Sequence, residues 1–178
     1  LAGAGNISFN ADIGNRANDD DFNGQLGDFV VENTTGSVTF GGSDTEDTPV
    51  DLAPVSFVRT NGVIDLGQGT DDTLDVIGGI FLNGGNTTAD TTLQILTSGD
   101  DIRFNGAVEL QGGVTITTNF NDTTNDADQS LFGNILFTDN ATLNSQDAGS
   151  DVSEDNDLRL LAGAGNISFN ADIGNRAN

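Results

Sequence analysis

Cysteine, methionine, tryptophan, tyrosine and histidine are absent from this chain of 178 residues, and so is lysine, since its five basic residues are all Arg: Arg16, Arg59, Arg103, Arg159 and Arg176. Without Cys there is no disulfide frame and no thiol nucleophile, and without Cys and His there is no thiolate or imidazole metal site. Without Lys there is neither Schiff-base chemistry nor a Lys–Asn isopeptide cross-link. Carboxylates, hydroxyls and Arg are the catalytic groups that remain. No apolar run approaches the roughly 18 residues of a membrane-spanning helix. No basic segment leads into an apolar one at the start, so targeting information is expected outside this stretch.

Positive charge is the other scarcity. Against five Arg stand 28 Asp and Glu, for a net charge of −23. Nucleic acid and anionic membrane surfaces, which are bound through clustered Lys and Arg, are excluded as direct partners. Cations are the natural counter-partner, and the same charge keeps a long polymer soluble and self-repelling.

What is present is repetition. LAGAGNISFNADIGNRAN occupies residues 1–18 and recurs, letter for letter, at 161–178. Chance does not produce such an identity, and the chain reads as a window on a tandem array with a period of 160 residues. On that reading residues 1–160 are one full repeat unit and 161–178 begin the next.

Within the unit, helical spacing is nowhere sustained, while short period-two runs are everywhere. One recurs as Gly-x-[Ile/Val]-x-[Phe/Leu]: GNISFN, GSVTFG, GVIDLG, GGIFLN and GNILFT, with DDIRFN as a variant. Alternation sends one side of each strand inward. The expected packing core is therefore Ile7, Phe9, Val38, Phe40, Ile64, Leu66, Ile80, Leu82, Ile102, Phe104, Ile135 and Phe137, with Ser8, Thr39, Asp65 and Arg103 outward. A second strand precedes each motif through Leu158/Leu160, Phe29/Val31, Val55/Phe57, Leu74/Val76, Leu93/Ile95 and Val114/Ile116, and in four cases the offset to the motif is the same. NGAVEL at 105–110 and NADIG at 10–14 suggest a third strand. A repeated offset with variable material outside it describes a coil. The expected fold is an all-β parallel β-helix (β-solenoid) with about six rungs per unit and acidic loop insertions, advancing about 29 Å per unit at the usual strand spacing. Tandem calcium-binding β-sandwiches are the rival fold. Asn10, Asn83, Asn105 and Asn170, each after the second apolar residue, are expected to bond from rung to rung in the turns.

The insertions at 10–28, 41–54, 118–130 and 138–157 carry most of the acids. DDDFNG at 19–24 alternates oxygen ligands through Asp19, Asp21 and Asn23 with Gly24 at position six, the pattern with which a loop wraps a hard cation. Val30 stands where an EF-hand has its closing Glu, and Asp28 or Glu32 is the expected substitute, which makes calcium the expected cation. Weaker groups are Asp122, Asp126 and Asp128; Asp44, Glu46 and Asp47; and Asp151, Glu154, Asp155 and Asp157. Asp71/Asp72 and Asp100/Asp101 are the paired carboxylates to test for glycosidic chemistry, with only Arg59 and Arg103 as basic partners. Copying one active site every 160 residues argues against an enzyme.

The strings LRLLAGAGNISFNADIG and LQILTSGDDIRFNGAVEL resemble the repeats of very large bacterial surface proteins of the filamentous-haemagglutinin and autotransporter-like type. The resemblance implies a right-handed parallel β-helix, export from the cell, and a role in adhesion or as an extended surface fibre. The expected function is a structural repeat of an exported cell-surface or extracellular filament, stiffened by calcium, with neighbouring identical repeats or subunits along the fibre axis as partners. A stalk repeat of a large adhesin comes second, and a polysaccharide-active β-helix enzyme third.

Overall fold

The computed structural model describes residues 3–14, 26–32, 34–41, 57–67, 76–83, 92–118, 133–145 and 156–174. Among them every regular element is a strand, and every strand pairing is parallel. In chain order these are β1 (Ile7–Phe9), β2 (Phe29–Val31), β3 (Val38–Phe40), β4 (Phe57–Thr60), β5 (Ile64–Leu66), β6 (Ile80–Leu82), β7 (Leu93–Thr97), β8 (Ile102–Phe104), β9 (Val108–Leu110), β10 (Val114–Thr117), β11 (Ile135–Phe137), β12 (Leu143–Ser145), β13 (Leu158–Leu161) and β14 (Ile167–Phe169).

They form three sheets: β1-β3-β6-β9-β12 (sheet 1), β4-β7-β10-β13 (sheet 2) and β2-β5-β8-β11-β14 (sheet 3). From β3 onward the chain visits sheets 1, 2 and 3 in strict rotation. That is a parallel β-helix with three faces. The third face is the strand suggested by NGAVEL, which supplies β9, while Ile13 and Ile173 of the two NADIG copies form single bridges.

Sheets 1 and 3 each stack five strands, so the described residues make five turns rather than six rungs. The difference has a simple cause. The Gly-x-Ile-x-Phe motif serves two faces: Val38 and Ile80 lie in sheet 1, whereas Ile64, Ile102 and Ile135 lie in sheet 3. Counting motifs therefore counts some turns twice. One phase also differs. Val58, not Phe57, points inward from β4, because Val58 is in register with Ile95 while Phe57 faces Gln94. Val76 is a buried single bridge to Thr34, and its partner in the expected pair, Leu74, lies outside the described residues.

Parallel register places like on like. Ile64, Ile102, Ile135 and Ile167 form one column of sheet 3, and Leu66, Phe104, Phe137 and Phe169 the next. The rings of Phe104, Phe137 and Phe169 stack at 4.7 Å with planes 9° and 11° apart. That spacing is the strand spacing itself, so ladder hydrogen bonds and offset ring packing are satisfied by one translation. Val38, Phe40, Ile64, Leu66, Ile80, Leu82, Ile102, Phe104, Ile135 and Phe137 are all fully buried; Ile7 and Phe9, in the first turn, are partly buried against the same core. Each such side chain contributes about 1.5–3 kcal/mol by leaving water, and no turn could fold on its own share.

The corners between strands need backbone that side chains resist. Gly67 has φ +95°, and a Cβ there would stand 2.5 Å from the Asn105 carbonyl oxygen of the next turn. Asn83 alone among non-glycine described residues takes positive φ, at 63°, and its Nδ2 donates to the Gly113 carbonyl at 2.9 Å. Asn105 Nδ2 donates to the Gly67 carbonyl at 3.0 Å, and its Oδ1 accepts from Thr138 Oγ1 at 2.6 Å. These two Asn bond from turn to turn but at different corners, so they do not make a single Asn ladder. Asn10 and Asn170 are exposed.

Phe137→Ala, which removes the middle ring of the stack, should destabilise the protein by about 3–5 kcal/mol, read as a shift of the urea midpoint at unchanged slope. Thr138→Val strips Asn105 Oδ1 of a buried donor and should cost about 1–3 kcal/mol in the same measurement.

Candidate functional site

Each strand of sheet 3 presents its middle residue outward, which aligns Val30, Asp65, Arg103, Leu136 and Ser168 in one exterior column. Asp65 and Arg103 are register partners, and Arg103 Nη1 reaches Asp65 Oδ1 at 3.1 Å and the Gly67 carbonyl at 3.2 Å. The pair sits in a shallow depression of about 450 Å³, walled by Val63, Asp101, Asn134 and Leu136. Burial raises the Asp65 pKa above its ordinary 3.8, and the Arg103 charge and hydrogen bond pull the other way without offsetting it. A half-buried ion pair of this kind is a weak source of stability and a stronger source of register.

The residue just before each strand of sheet 3 builds a second exterior column. Asp28 Oδ1 accepts from the Val63 amide at 3.1 Å. Asp101 Oδ1 accepts from the Asn134 amide at 2.6 Å and from its Nδ2 at 2.9 Å, and Asn134 Oδ1 in turn accepts from the Asn166 amide at 2.9 Å. Asn6 does the same in sheet 1, taking the Ser37 amide at 3.0 Å. Sequence reasoning looked for an Asn ladder after the second apolar residue and missed this one. The signal is visible in GNISF, DDIRF and GNILF, where Asn or Asp stands immediately before Ile.

The cation groups fall out differently. Asp19, Asp21 and Asn23, like Asp44, Glu46 and Asp47, and Asp122, Asp126 and Asp128, lie outside the described residues, as do Asp71, Asp72, Asp151, Glu154 and Asp155. Asp28 is described, and its Oδ1 is engaged by the Val63 amide. Among the described residues no three acids converge as a metal-ligand set. Of the carboxylate pair Asp100/Asp101, Asp101 is taken up by Asn134, while Asp100 is pushed above its ordinary 3.8 by partial burial, with the Asp28 and Asp101 charges adding to it. Arg59 is buried, and Arg103 is held by Asp65.

The remaining distinctive surfaces are the two ends. At the far end, β13 and β14 each pair on one side only and β12 is covered on its outer side by the single bridge from Ile173, while Leu161, Ile167 and Ile173 are 39%, 42% and 57% exposed. At the near end, β1 and β2 are the open edges of sheets 1 and 3. Open parallel edges with apolar residues behind them are templates for further strands. No helix among the described residues is long and apolar enough to cross a membrane.

Because the folded state raises the Asp65 pKa, it holds that proton more tightly than the unfolded chain does. The contribution of this group favours folding below pH 3.8 and is lost as pH rises through the folded-state value. Asp65→Asn should remove that loss, and Arg103→Gln should deepen it, in urea midpoints compared between acid and neutral pH. No family model, curated protein or solved structure matches the chain.

Proposed function

We propose that this chain is a structural repeat of an exported filament at the cell surface or outside the cell, built by continuing the β-helix from one unit into the next. The observation that carries the reading is the far end of the coil. There residues 161–174, identical in sequence to 1–14, carry the coil through β14, and Ile173 begins a further turn by bridging Leu143 on sheet 1. The Leu143 amide donates to the Asp172 carbonyl at 3.0 Å, and the Gly174 amide donates to the Leu143 carbonyl at 2.8 Å. A neighbouring identical repeat is thus the partner whose first turn the sequence itself supplies. The strong negative charge suits a long solvated rod, and the likeness of the rung strings to giant surface proteins supports export.

Stalk use in an adhesin has the same units with a different end. Calcium belongs to the proposal through Asp19, Asp21 and Asn23, where a bound cation would relieve repulsion among the insertion acids.

Gold-labelled antibody against the unit should decorate filaments outside intact producing cells, and oriented filaments should diffract on the meridian near 4.8 Å. Label confined to the cell interior would overturn the reading. For calcium, a chelator should lower the thermal midpoint, and Asp19→Ala with Asp21→Ala should abolish the difference. Equal midpoints with and without chelator remove the metal from the account.

A further inference from the structure

Asparagine followed by glycine is a chemically labile pair, because glycine, with no side chain, leaves its amide nitrogen open to the side-chain amide carbon of the Asn before it. Three such pairs stand at corners of the coil: Asn61-Gly62 between β4 and β5, Asn83-Gly84 after β6, and Asn105-Gly106 between β8 and β9. The three dipeptides are alike in sequence. The fold treats them differently.

Asn105 is 1% exposed, its Nδ2 donates to the Gly67 carbonyl at 3.0 Å and its Oδ1 accepts from Thr138 Oγ1 at 2.6 Å. Asn83 is 2% exposed, and its Nδ2 donates to the Gly113 carbonyl at 2.9 Å. Turning either side chain onto the following nitrogen breaks a buried hydrogen bond, and burial keeps out the water that the reaction consumes. Asn61 is exposed. The described contact of its side chain is Oδ1 with Ser98 Oγ at 3.4 Å, beyond the usual range of about 2.5–3.0 Å for such a bond. It holds the oxygen and not Nδ2, the nitrogen that must leave.

Packing also keeps Gly62 a glycine. A Cβ there would overlap Asp28 Oδ1 and press on the Gly27 and Asp28 backbone at 3.1 Å. The same Asp28 oxygen accepts from the Val63 amide at 3.1 Å, so the close approach is part of the turn-to-turn bonding. The turn before thus imposes the residue that makes Asn61 reactive. Against the reaction stands one bond: the Gly62 amide donates to the Gly27 carbonyl at 3.2 Å and must release it before attacking. A single hydrogen bond at an exposed corner slows that step by about tenfold at most.

We infer that Asn61 is a site of spontaneous covalent modification, deamidating through a cyclic imide while the coil stays folded. The Gly62 nitrogen gives up its proton and attacks Asn61 Cγ. The new C–N bond forms, the bond from Cγ to Nδ2 breaks, and ammonia leaves with that proton. Water then opens the imide at either carbonyl, giving Asp or isoaspartate, the latter with the main chain running through the former side-chain carbon. Both products add a negative charge beside Asp28, whose charge, with that of Asp101, already acts on Asp100. Isoaspartate also lengthens the main chain by a methylene where the Asn61 and Gly62 amides reach the Leu26 and Gly27 carbonyls at 2.8 and 3.2 Å. The modification therefore loosens the corner that holds β5 to β2, and a chain carries a chemical record of its age there.

The 178-residue chain, kept folded at neutral pH and compared with the same chain in concentrated urea, tests this by peptide mass spectrometry. Labelling with a protein isoaspartyl methyltransferase and its methyl donor reads isoaspartate directly. In urea the three pairs should react at similar rates, whereas in the folded chain product at residue 61 should exceed that at 83 or 105 by at least about tenfold. Asn61→Gln, whose longer side chain closes the ring slowly, should remove most of the methyl label from the folded chain. Folded-chain product no greater at Asn61 than at Asn105 overturns the inference, as does an Asn61 that reacts in urea and stays intact in the folded chain. The reacted fraction should unfold at lower urea than fresh chain, and an unchanged midpoint overturns the loosening of the corner. None of these results depends on whether the chain belongs to a filament.

Discussion

In-register parallel stacking is the constraint from which the rest of the molecule follows. A strand of three residues has almost no stability alone, yet when it lies one strand spacing above an equal strand, backbone ladder, aliphatic column and ring stack are satisfied together. The 4.7 Å separation of the Phe104, Phe137 and Phe169 rings is that coincidence in its simplest form. It requires similar residues at similar positions in every turn, and the sequence repeats itself because the geometry does.

Stacking also dictates where polar groups go. Charges cannot enter a core of this kind without partners, so they are carried on outward positions or in the insertions between strands. The outward columns are ordered as well. Asp101, Asn134 and Asn166 hand hydrogen bonds from turn to turn alongside the backbone ladder, while Asp65 and Arg103 tie two strands across their faces. Such contacts stabilise little singly, but they distinguish one register from a slipped one, a distinction that apolar columns of near-identical residues make poorly.

Uniformity has a consequence for assembly. A coil whose faces share one motif accepts the same strand in more than one place, and the two copies of ISF, on sheet 1 at one end and sheet 3 at the other, show this within a single chain.

Much of the fold could be read from the residues. Alternation in strings such as GGIFLN and DDIRFN determined which side chains turn inward, since period two leaves only two choices and one of them buries charge. The eighteen residues repeated at 1–18 and 161–178 are legible in the sequence as a period of 160 residues. The number of turns was not legible, because the same motif lines two faces and nothing local in Val38 or Ile64 says which sheet receives it. The inward phase of β4 was hidden too, because Phe57 and Val58 are both apolar and only pairing with β7 selects Val58. At the candidate site, the bond from the Val63 amide to Asp28 Oδ1 was not legible, because it joins residues 35 apart in sequence that only the stacking of turns brings together. The face taken by LAGAGNISFN is the limiting case: identical sequence, different sheet. Composition and alternation determine that such a strand stacks, and only the strands placed before and beside it decide where.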